Sequence, residues 1–527
     1  MKKMAQQQLC WVIFAFSAFF VMITAMSFKK LKFVLQQPEL YIFLFSLFLF
    51  VLFSHTRFYG YEKETWEAAC LFVKNGEFNA ARAGWLHSLA YVPWVYFKLL
   101  FDKLNIATLS AIFPSTAVSF YSALVSVVFY KTARLVYQSK KIAVGLSLIL
   151  ASATMLLPYS IIGMEHFLTL IFAVLVFYLV RYAKEHRQSD FIWIGFWLGA
   201  CYAVKAYAGI LMPAVLVFLL HLEFKVYKLS FSDFLKRMPK FAAPIIFFII
   251  ISVFYNTIRF GNAIAGKYNM SWEFQYQSFW IGLYGYLFSA GKSVILYNPI
   301  LILAIFYYRR FFKQYRQLAY LFILLIVFFL IPHLPFRFWT DEVWGPRKLL
   351  PLIPILMLPL GIIWQSGFFK SIYNKAIFYI LFSASFAMQF LGALYDYGTQ
   401  MWVLRQVNLD SIHLMQFMPW LSHPFIHYKL FKSYLWQTLG HKPLDFTYNL
   451  WTWMRGLAGG TDIGLTGGIL SLTLKWARPH LWIINPKNPM SNLSYFLEYI
   501  IFLFFIFMII FSLIKLKRLC RESKSCQ

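Results

Sequence analysis

The sequence predicts an all-α polytopic membrane protein, a bundle of about 12–13 transmembrane helices. Of the 527 residues, 61% are hydrophobic and only 13% are charged, whereas roughly a quarter of the residues of a soluble domain are charged. The formal net charge of +29 comes from lysines and arginines that flank apolar runs, as they do in the cytoplasmic loops of membrane proteins. These observations exclude a soluble domain and give no support to nucleic-acid binding.

Apolar stretches long enough to cross the bilayer recur along the chain, since a helical span needs about 20 residues. The stretch 191–222 is divided only at Lys205, and 9–27 is either a full span or an uncleaved signal anchor, so the helix count stays open by one or two. The predicted spans lie near 9–27, 38–54, 106–130, 142–158, 166–182, 191–204, 206–222, 240–256, 294–307, 318–334, 348–365, 375–393 and 494–515.

Basic residues occupy every second short loop, which indicates that those loops are cytoplasmic. Alternation then places the loops between them on the external face. The predicted organisation is two N-terminal transmembrane helices in 1–54, a first external loop with an acidic motif in 55–105, a transmembrane bundle in 106–393, an external loop or amphipathic cap in 394–493, and a last helix with a basic cytoplasmic tail in 494–527.

Ionisable residues at a membrane edge are costly, so functional side chains are expected at the external ends of the spans. Glu62 and Glu64 directly follow the span 38–54. They fit either the acidic first turn of a surface helix, where the helix dipole favours carboxylates, or a general base held where a lipid-borne substrate arrives. Glu165 and His166 stand between two apolar runs. A helix N-terminus explains the glutamate but not the neighbouring imidazole.

Charged residues occupy two further external positions. Lys205 breaks an apolar hairpin, and its ammonium group either reaches the interface or binds a phosphate. Asp341, Trp344 and Arg347 precede the next apolar span. They form either an interfacial aromatic belt with paired charges or a phosphate site, because the fork of an arginine fits a phosphate or pyrophosphate.

The order of these features resembles the GT-C superfamily of integral-membrane glycosyltransferases. The similarity is to bacterial protein O-mannosyltransferases and to the lipid A aminoarabinose transferase, which are glycosyltransferase 39-like proteins. Glu62 and Trp66 match the spacing of the first-loop signature of those relatives, with Glu in place of Asp, and Glu165 occupies the position of their second-loop carboxylate. The stretches 255–262, 288–299 and 344–347 resemble a bacterial branch of the superfamily, and the whole resemblance covers about residues 38–365.

This resemblance implies transfer of a sugar from a polyprenyl phosphate to an external glycolipid, polysaccharide or protein, with inversion, in the bacterial cytoplasmic (inner) membrane with the active site on its periplasmic face. The lipid bilayer and the lipid-linked sugar are then the partners. The sequence leaves a divalent metal cofactor open, because no dense cluster of ligands is visible in it. The implied roles are catalysis by Glu62, Glu64 and Glu165, binding of the donor phosphate by Lys205, Arg347 and Lys292, and binding of the acceptor or sugar by His166, Asp341 and Trp344.

A transporter or a flippase of a lipid-linked sugar is the alternative, since such proteins also place charges at helix breaks. Transporters are commonly built from internal repeats with interrupted helices at corresponding positions. The sequence shows no internal repeat of this kind, which favours the enzyme.

Overall fold

The computed structural model is almost entirely helical in the residues that it describes. The predicted span 9–27 lies outside these residues, and the predicted cap 394–493 is described only in part. Strands β1 (Leu444–Phe446) and β2 (Leu470–Leu472) pair antiparallel. The structure describes residues 35–54, 60–77, 84–103, 107–261, 276–395, 398–405, 412–441, 444–446, 470–472 and 492–522.

The first half of the described chain forms helices α1 to α10. A 3-10 turn, Ala206–Ile210, precedes α9, and a π-helical turn, His221–Val226, follows it. The helices are α1 (Pro38–Leu52), α2 (Gly60–Asn75), α3 (Trp85–Lys103), α4 (Ala107–Tyr137), α5 (Lys140–Ser152), α6 (Leu156–Ile162), α7 (His166–Glu185), α8 (Asp190–Val204), α9 (Leu211–Leu220) and α10 (Phe231–Phe260).

The second half contains shorter helices with 3-10 turns between them. The α-helices are α11 (Phe279–Phe288), α12 (Val294–Tyr297), α13 (Leu301–Gln314), α14 (Arg316–Leu330), α15 (Ile353–Met357), α16 (Ile362–Gln365), α17 (Ile372–Leu394), α18 (Gly398–Arg405), α19 (Ile412–Phe417), α20 (His423–Thr438) and α21 (Asn492–Glu522). The 3-10 turns are Ile331–His333, Arg337–Trp339, Arg347–Leu352, Leu358–Gly361, Phe368–Lys370 and Pro419–Leu421.

The polytopic membrane architecture is confirmed. Among the described residues, 6 helical stretches are long and apolar enough to cross a membrane, and 7 if α5 and α6 count as one bent span. Each of them coincides with a predicted span, whereas the total of 12–13 spans stays a prediction. The 6 stretches are His166–Glu185, Ala206–Val226, Phe231–Phe260, Arg316–His333, Arg347–Gln365 and Ile372–Leu394.

The predicted span 142–158 is bent rather than straight. Helices α5 and α6 meet at an angle of 52°. In the break, the amide of Met155 donates to Asn298 Oδ1 at 2.9 Å, so a side chain pairs a backbone group at the kink. Helix α6 then ends at Gly163, where the chain turns sharply into α7.

Much of the segment predicted as the first external loop, 55–105, is helical. Helices α2 and α3 pack against each other, and α3 packs against α4. The rings of Trp66 and Tyr91 meet edge to face, with their centroids 5.5 Å apart. Glu62 and His87, in the first turns of α2 and α3, are therefore held by packed helices.

Helices α8 and α10 approach each other closely because glycines line their contact. A Cβ atom at Gly195 would lie 2.1 Å from the carbonyl oxygen of Phe241, and one at Gly199 would lie 2.7 Å from the Phe248 ring. Small residues four positions apart are the usual way to bring membrane helices together. This pair carries Lys205, which follows the last residue of α8.

Candidate active site

Three carboxylates, the buried Glu62 and Glu165 and the half-buried Asp341, form the centre of the candidate site. They come from three distant parts of the chain, and each accepts contacts from side chains that belong to other elements. The structure connects these contacts into one region at one end of the helices. The predicted site residues in this region are Glu62, Glu165, His166, Lys205, Lys292, Asp341, Trp344 and Arg347.

Glu62 is completely buried and contacts groups from α3 and from the turn before α7. Its Oε1 atom accepts a hydrogen bond from the Tyr91 hydroxyl and lies 3.1 Å from His87 Nε2. Its Oε2 atom accepts from the backbone amide of Met164 at 2.7 Å. His166 Nε2 lies 3.4 Å from the Tyr91 hydroxyl, so two imidazoles and a phenol surround this carboxylate.

The turn between α6 and α7 fits closely over Glu62. Gly163 has φ +86°, and a Cβ atom there would lie 2.6 Å from Glu62 Cγ. Met164 also has a positive φ, 72°, a conformation that non-glycine residues rarely adopt. Such backbone strain persists where the surroundings enforce it, and here the turn presents its amide to Glu62.

The groups around Glu62 favour its charged form. Burial raises the pKa of its carboxyl group, but the electrostatic effects of His87 and His166, with hydrogen bonds from His87 and Tyr91, outweigh burial and lower the pKa to about 2. A buried charge persists only where nearby groups offset its desolvation. The carboxylate is thus held in its charged form inside the protein.

Glu165 is the second buried carboxylate, and it pairs with the chain around Lys205. Lys205 Nζ lies 3.0 Å from Glu165 Oε1, and the Tyr207 hydroxyl donates to Oε2 at 2.7 Å. Burial raises the pKa of Glu165, but Lys205, Lys348 and Arg347 together lower it to about 2. The ammonium group of Lys348 also lies 5.4 Å from the centroid of the Tyr207 ring.

Asp341 is held between Lys292 and Arg347. Lys292 Nζ donates to Asp341 Oδ1, and Arg347 Nε lies 2.6 Å from Oδ2. Burial raises the pKa of the aspartate, but these two cations lower it below its usual value. Lys292 Nζ also donates to the carbonyls of Val343 at 2.7 Å and Gly345 at 3.0 Å. An ammonium group has three donors, so Lys292 binds the 341–345 loop with all of them.

Arg347 connects the three carboxylate clusters. Besides its contact with Asp341, its NH1 atom lies 2.8 Å from the sulfur of Met164, the residue whose amide binds Glu62. Its charge also acts on Glu165. Arg347 therefore occupies the position between the groups predicted for phosphate binding and those predicted for catalysis.

Trp344 packs inside the protein and does not present its ring to solvent. Its ring is fully buried and lies parallel to His427, with centroids 5.2 Å apart and an interplanar angle of 22°. Its carbonyl oxygen accepts from the Tyr159 hydroxyl at 2.5 Å. A Cβ atom at Gly392 would lie 2.4 Å from the indole. The ring fixes the loop that carries Asp341, while its predicted contact with a sugar stays a prediction.

Comparison with known families identifies the class of the chain. Residues 89–255 match the family model described as "Dolichyl-phosphate-mannose-protein mannosyltransferase". This match confirms the predicted resemblance to the GT-C glycosyltransferases. The matched residues include Tyr91, Glu165, His166 and Lys205, and the predicted enzyme class, a membrane glycosyltransferase, is confirmed with it.

Solved structures of similar architecture belong to ArnT from Cupriavidus metallidurans. The crystal structure bound to undecaprenyl phosphate is 12% identical in sequence, with 76% of each chain covered and a TM-score of 0.43. The apo structure is 13% identical, with 72% of this chain and 73% of that chain covered and a TM-score of 0.44. No curated protein matches the chain significantly. These superpositions are too loose to assign roles to single residues of the enzyme.

The structure distinguishes the two glutamates of the first predicted loop. Glu62 lies in the buried cluster, whereas Glu64 is half-buried. Two residues turn a helix by about 200°, so the two side chains of α2 point in nearly opposite directions. Glu62 is therefore the glutamate of this loop that belongs to the site. Met164, which precedes Glu165, connects it to Arg347, because the Met164 amide binds Glu62 and the Met164 sulfur contacts Arg347.

Sequence reasoning missed His87, Tyr91 and Tyr207 as members of the site. His87 and Tyr91 are four residues apart on α3, so they share one helix face, but only their contact with Glu62 marks that face as part of the site. Tyr207 follows Lys205 by two residues. Its role depends on the 3-10 turn after α8, which the sequence pattern does not predict.

One group of side chains has the spacing of a metal site. One ligand atom each from Glu62, His87 and His166 lies within 4.8 Å of the others, and all three residues are buried. Two imidazoles and a carboxylate are donors that transition metals accept. Among the described residues, the structure thus brings together a ligand set that the sequence did not reveal.

Proposed function

We propose that this glycosyltransferase transfers a sugar from a polyprenyl phosphate to an acceptor at the external face of the bacterial cytoplasmic membrane. The anomeric carbon of the donor would lie between the cluster around Glu62 and the cations around Glu165 and Asp341. The acceptor hydroxyl attacks the anomeric carbon, and the bond from that carbon to the lipid phosphate breaks with inversion. The acceptor proton passes to a carboxylate of the enzyme.

The convergence of four cations on Glu165 and Asp341 is the observation that carries this proposal. Two of the four, Arg347 and Lys348, act on both carboxylates. The four cations are Lys205, Lys292, Arg347 and Lys348. Cations gathered in one place from distant parts of the chain suit a site that receives an anion.

The leaving group explains why such a gathering of cations is useful. When the bond to the sugar breaks, negative charge develops on the lipid phosphate, and fixed cations stabilise that charge without reorganising. Arg347 offers a planar fork that fits phosphate oxygens, and Lys205 offers a point charge. Lys292 already donates to three oxygens of the 341–345 loop, so we propose that it contributes its charge and the shape of that loop.

Glu62 is the proposed proton acceptor. Its surroundings favour the charged form, and it contacts the same turn as Arg347. We expect it to take the proton as the new bond makes the hydroxyl more acidic. Tyr91 and His87 orient Oε1 during this step.

Binding of undecaprenyl phosphate tests the anion site. The full chain in nanodiscs should bind this lipid at least tenfold more weakly after Lys205→Ala or Arg347→Ala, because a charge-assisted contact is worth about 1.5–3 kcal/mol. Arg237→Ala is the matched control, since Arg237 pairs with the buried Glu223, away from these cations. Unchanged binding in both site variants would place the phosphate elsewhere.

Cysteine labelling tests the proposed face of the membrane. The basic loops predict that the segment 394–493 is external. In a variant without native cysteines, Gly460→Cys should react with a membrane-impermeant maleimide in intact cells. Reaction only after permeabilisation would reverse the topology and contradict an external active site.

A further inference from the structure

We propose that Glu62, His87 and His166 form a binding site for one divalent transition-metal ion, of which zinc is the expected example. This site goes beyond the proposed transfer reaction, which does not require it. The three residues come from the first turns of three helices, α2, α3 and α7. Each side chain is completely buried.

The distances between the donor atoms fit a small ion. Zinc binds imidazole nitrogen and carboxylate oxygen at about 2.0–2.2 Å, so neighbouring ligand atoms of a tetrahedral site are about 3.3 Å apart. His87 Nε2 and Glu62 Oε1 are 3.1 Å apart. The third ligand atom, from His166, lies within 4.8 Å of both.

A buried nitrogen without a hydrogen bond is independent support for a ligand. His166 Nδ1 is buried and has no hydrogen-bond partner among the described residues. Leaving a buried polar atom unpaired costs about 1–3 kcal/mol, so such an atom in a native protein calls for a reason. Coordination of a metal ion by the His166 imidazole would be such a reason.

Tyr91 forms a hydrogen bond to one of the proposed metal ligands, as residues around a metal site usually do. Its hydroxyl donates to Glu62 Oε1 and lies 3.4 Å from His166 Nε2, so it orients two of the three ligands. Partners of this kind typically change metal affinity by about 10–100-fold when they are removed. The set of two imidazoles and one carboxylate also leaves a fourth position for a water or a hydroxyl group.

Metal binding is compatible with the proposed role of Glu62 in proton transfer. A carboxylate offers about four lone-pair sites on its two oxygens. Oε1 faces His87 and Tyr91 and would bind the ion, whereas Oε2 contacts the Met164 amide and keeps one site for a proton. The ion and the transfer reaction can therefore be tested separately.

Metal content measures the site directly. The full chain in nanodiscs, incubated with zinc and dialysed, should retain about one zinc ion per chain by elemental mass spectrometry, as a single three-ligand site predicts. The His87→Ala, His166→Ala double variant should fall to background. Tyr91→Phe keeps all three ligands and should bind zinc about 10–100-fold more weakly, which also tests the site in a variant with a minimal change of shape.

His186→Ala is the matched control, because His186 Nε2 lies 3.5 Å from the buried Glu223 but has no second histidine beside it. This variant should retain zinc like the parent. The proposal is overturned if the parent retains no more zinc than the double variant, or if His186→Ala loses as much as the double variant. Because metal content is independent of transfer, such a result would leave the proposed glycosyltransferase reaction untouched.

Discussion

Buried carboxylates occur in two regions of this protein, and their partners differ. The first region lies at α7, α8 and the π-helical turn. There the carboxylate of Asp190 accepts hydrogen bonds from Arg181 Nε, at 2.9 Å, and from a second nitrogen of the same guanidinium. Glu223 accepts from the Tyr182 hydroxyl and from Arg237, at 3.2 Å. In this region each carboxylate has an arginine of its own.

The cations of the candidate site are shared instead of assigned one to one. Arg347 contacts Asp341 and acts on Glu165 as well, and Lys348 acts on both carboxylates. One-to-one pairs neutralise charge and fasten helices, whereas cations shared between carboxylates lie close enough together to bind one anion. Burial and ion pairing alone therefore do not mark a functional site, whereas the sharing of cations does.

The largest difference between the two regions should appear on removal of a carboxylate charge. Glu62→Gln is expected to reduce sugar transfer in membranes by about 10²–10⁴-fold, the usual cost of losing a general base. Glu223→Gln should leave the transfer rate per folded molecule close to that of the parent. Transfer rates normalised to folded protein provide the measurement. Equal rates for Glu62→Gln and the parent would remove Glu62 from catalysis.

Arg347 and Arg181 provide the next comparison. Arg347→Ala should weaken donor use about tenfold or more, because it removes a charge-assisted contact to phosphate. Arg181→Ala removes an equally charged side chain, which forms an ion pair with Asp190 in the described part of the chain, and donor use should not change. A donor concentration series for both variants decides this point. Similar losses in both would mean that general positive charge, not position, controls donor use.

The free energy of unfolding, unlike sugar transfer, should depend on the ion pair between Asp190 and Arg181. Asp190→Asn leaves the partly exposed guanidinium of Arg181 without its carboxylate, and the loss of these charged hydrogen bonds should lower the free energy of unfolding by about 1–3 kcal/mol. Transfer by the folded fraction should persist. Thermal unfolding in nanodiscs measures the change. A variant as stable as the parent would show that this arginine pair does not fasten α7 to α8.

The smallest effect is expected at Glu64. Its side chain is half-buried and lies on the other side of α2 from Glu62, so Glu64→Gln should change transfer far less than Glu62→Gln. The same membrane transfer assay compares the two glutamates. A loss equal to that of Glu62→Gln would assign the two carboxylates a joint role.

The sequence predicted the spans well where hydropathy decides them. The predicted span 375–393 corresponds to Ile372–Leu394, and 166–182 to His166–Glu185. It did not predict the bend at Met155, which depends on Asn298, a residue distant in the chain. In the first predicted loop, a surface helix starting at Glu62 was one of the two interpretations, and the structure forms α2 there and α3 after it.

The sequence also located most of the candidate site, because charges at the external ends of spans are costly enough to be noticed one by one. It could not predict their pairing. Lys205 and Glu165 are 40 residues apart and Lys292 and Asp341 are 49 apart, so their contacts depend on helix packing. His87 and Tyr91 escaped notice because an imidazole and a phenol in a mixed helix are not conspicuous until a carboxylate from another helix is placed beside them.

Met164 joins the two halves of the site, and this has a consequence for the order of events in a catalytic cycle. Its amide binds Glu62 and its sulfur contacts Arg347, in a backbone conformation with φ 72°. A phosphate that draws Arg347 toward itself would release the sulfur and let the turn relax, which would move the Glu62 carboxylate. We therefore expect an ordered mechanism in which the lipid donor binds first and the acceptor second. Product-inhibition kinetics would reveal that order, and a random order would show that the turn does not transmit the change.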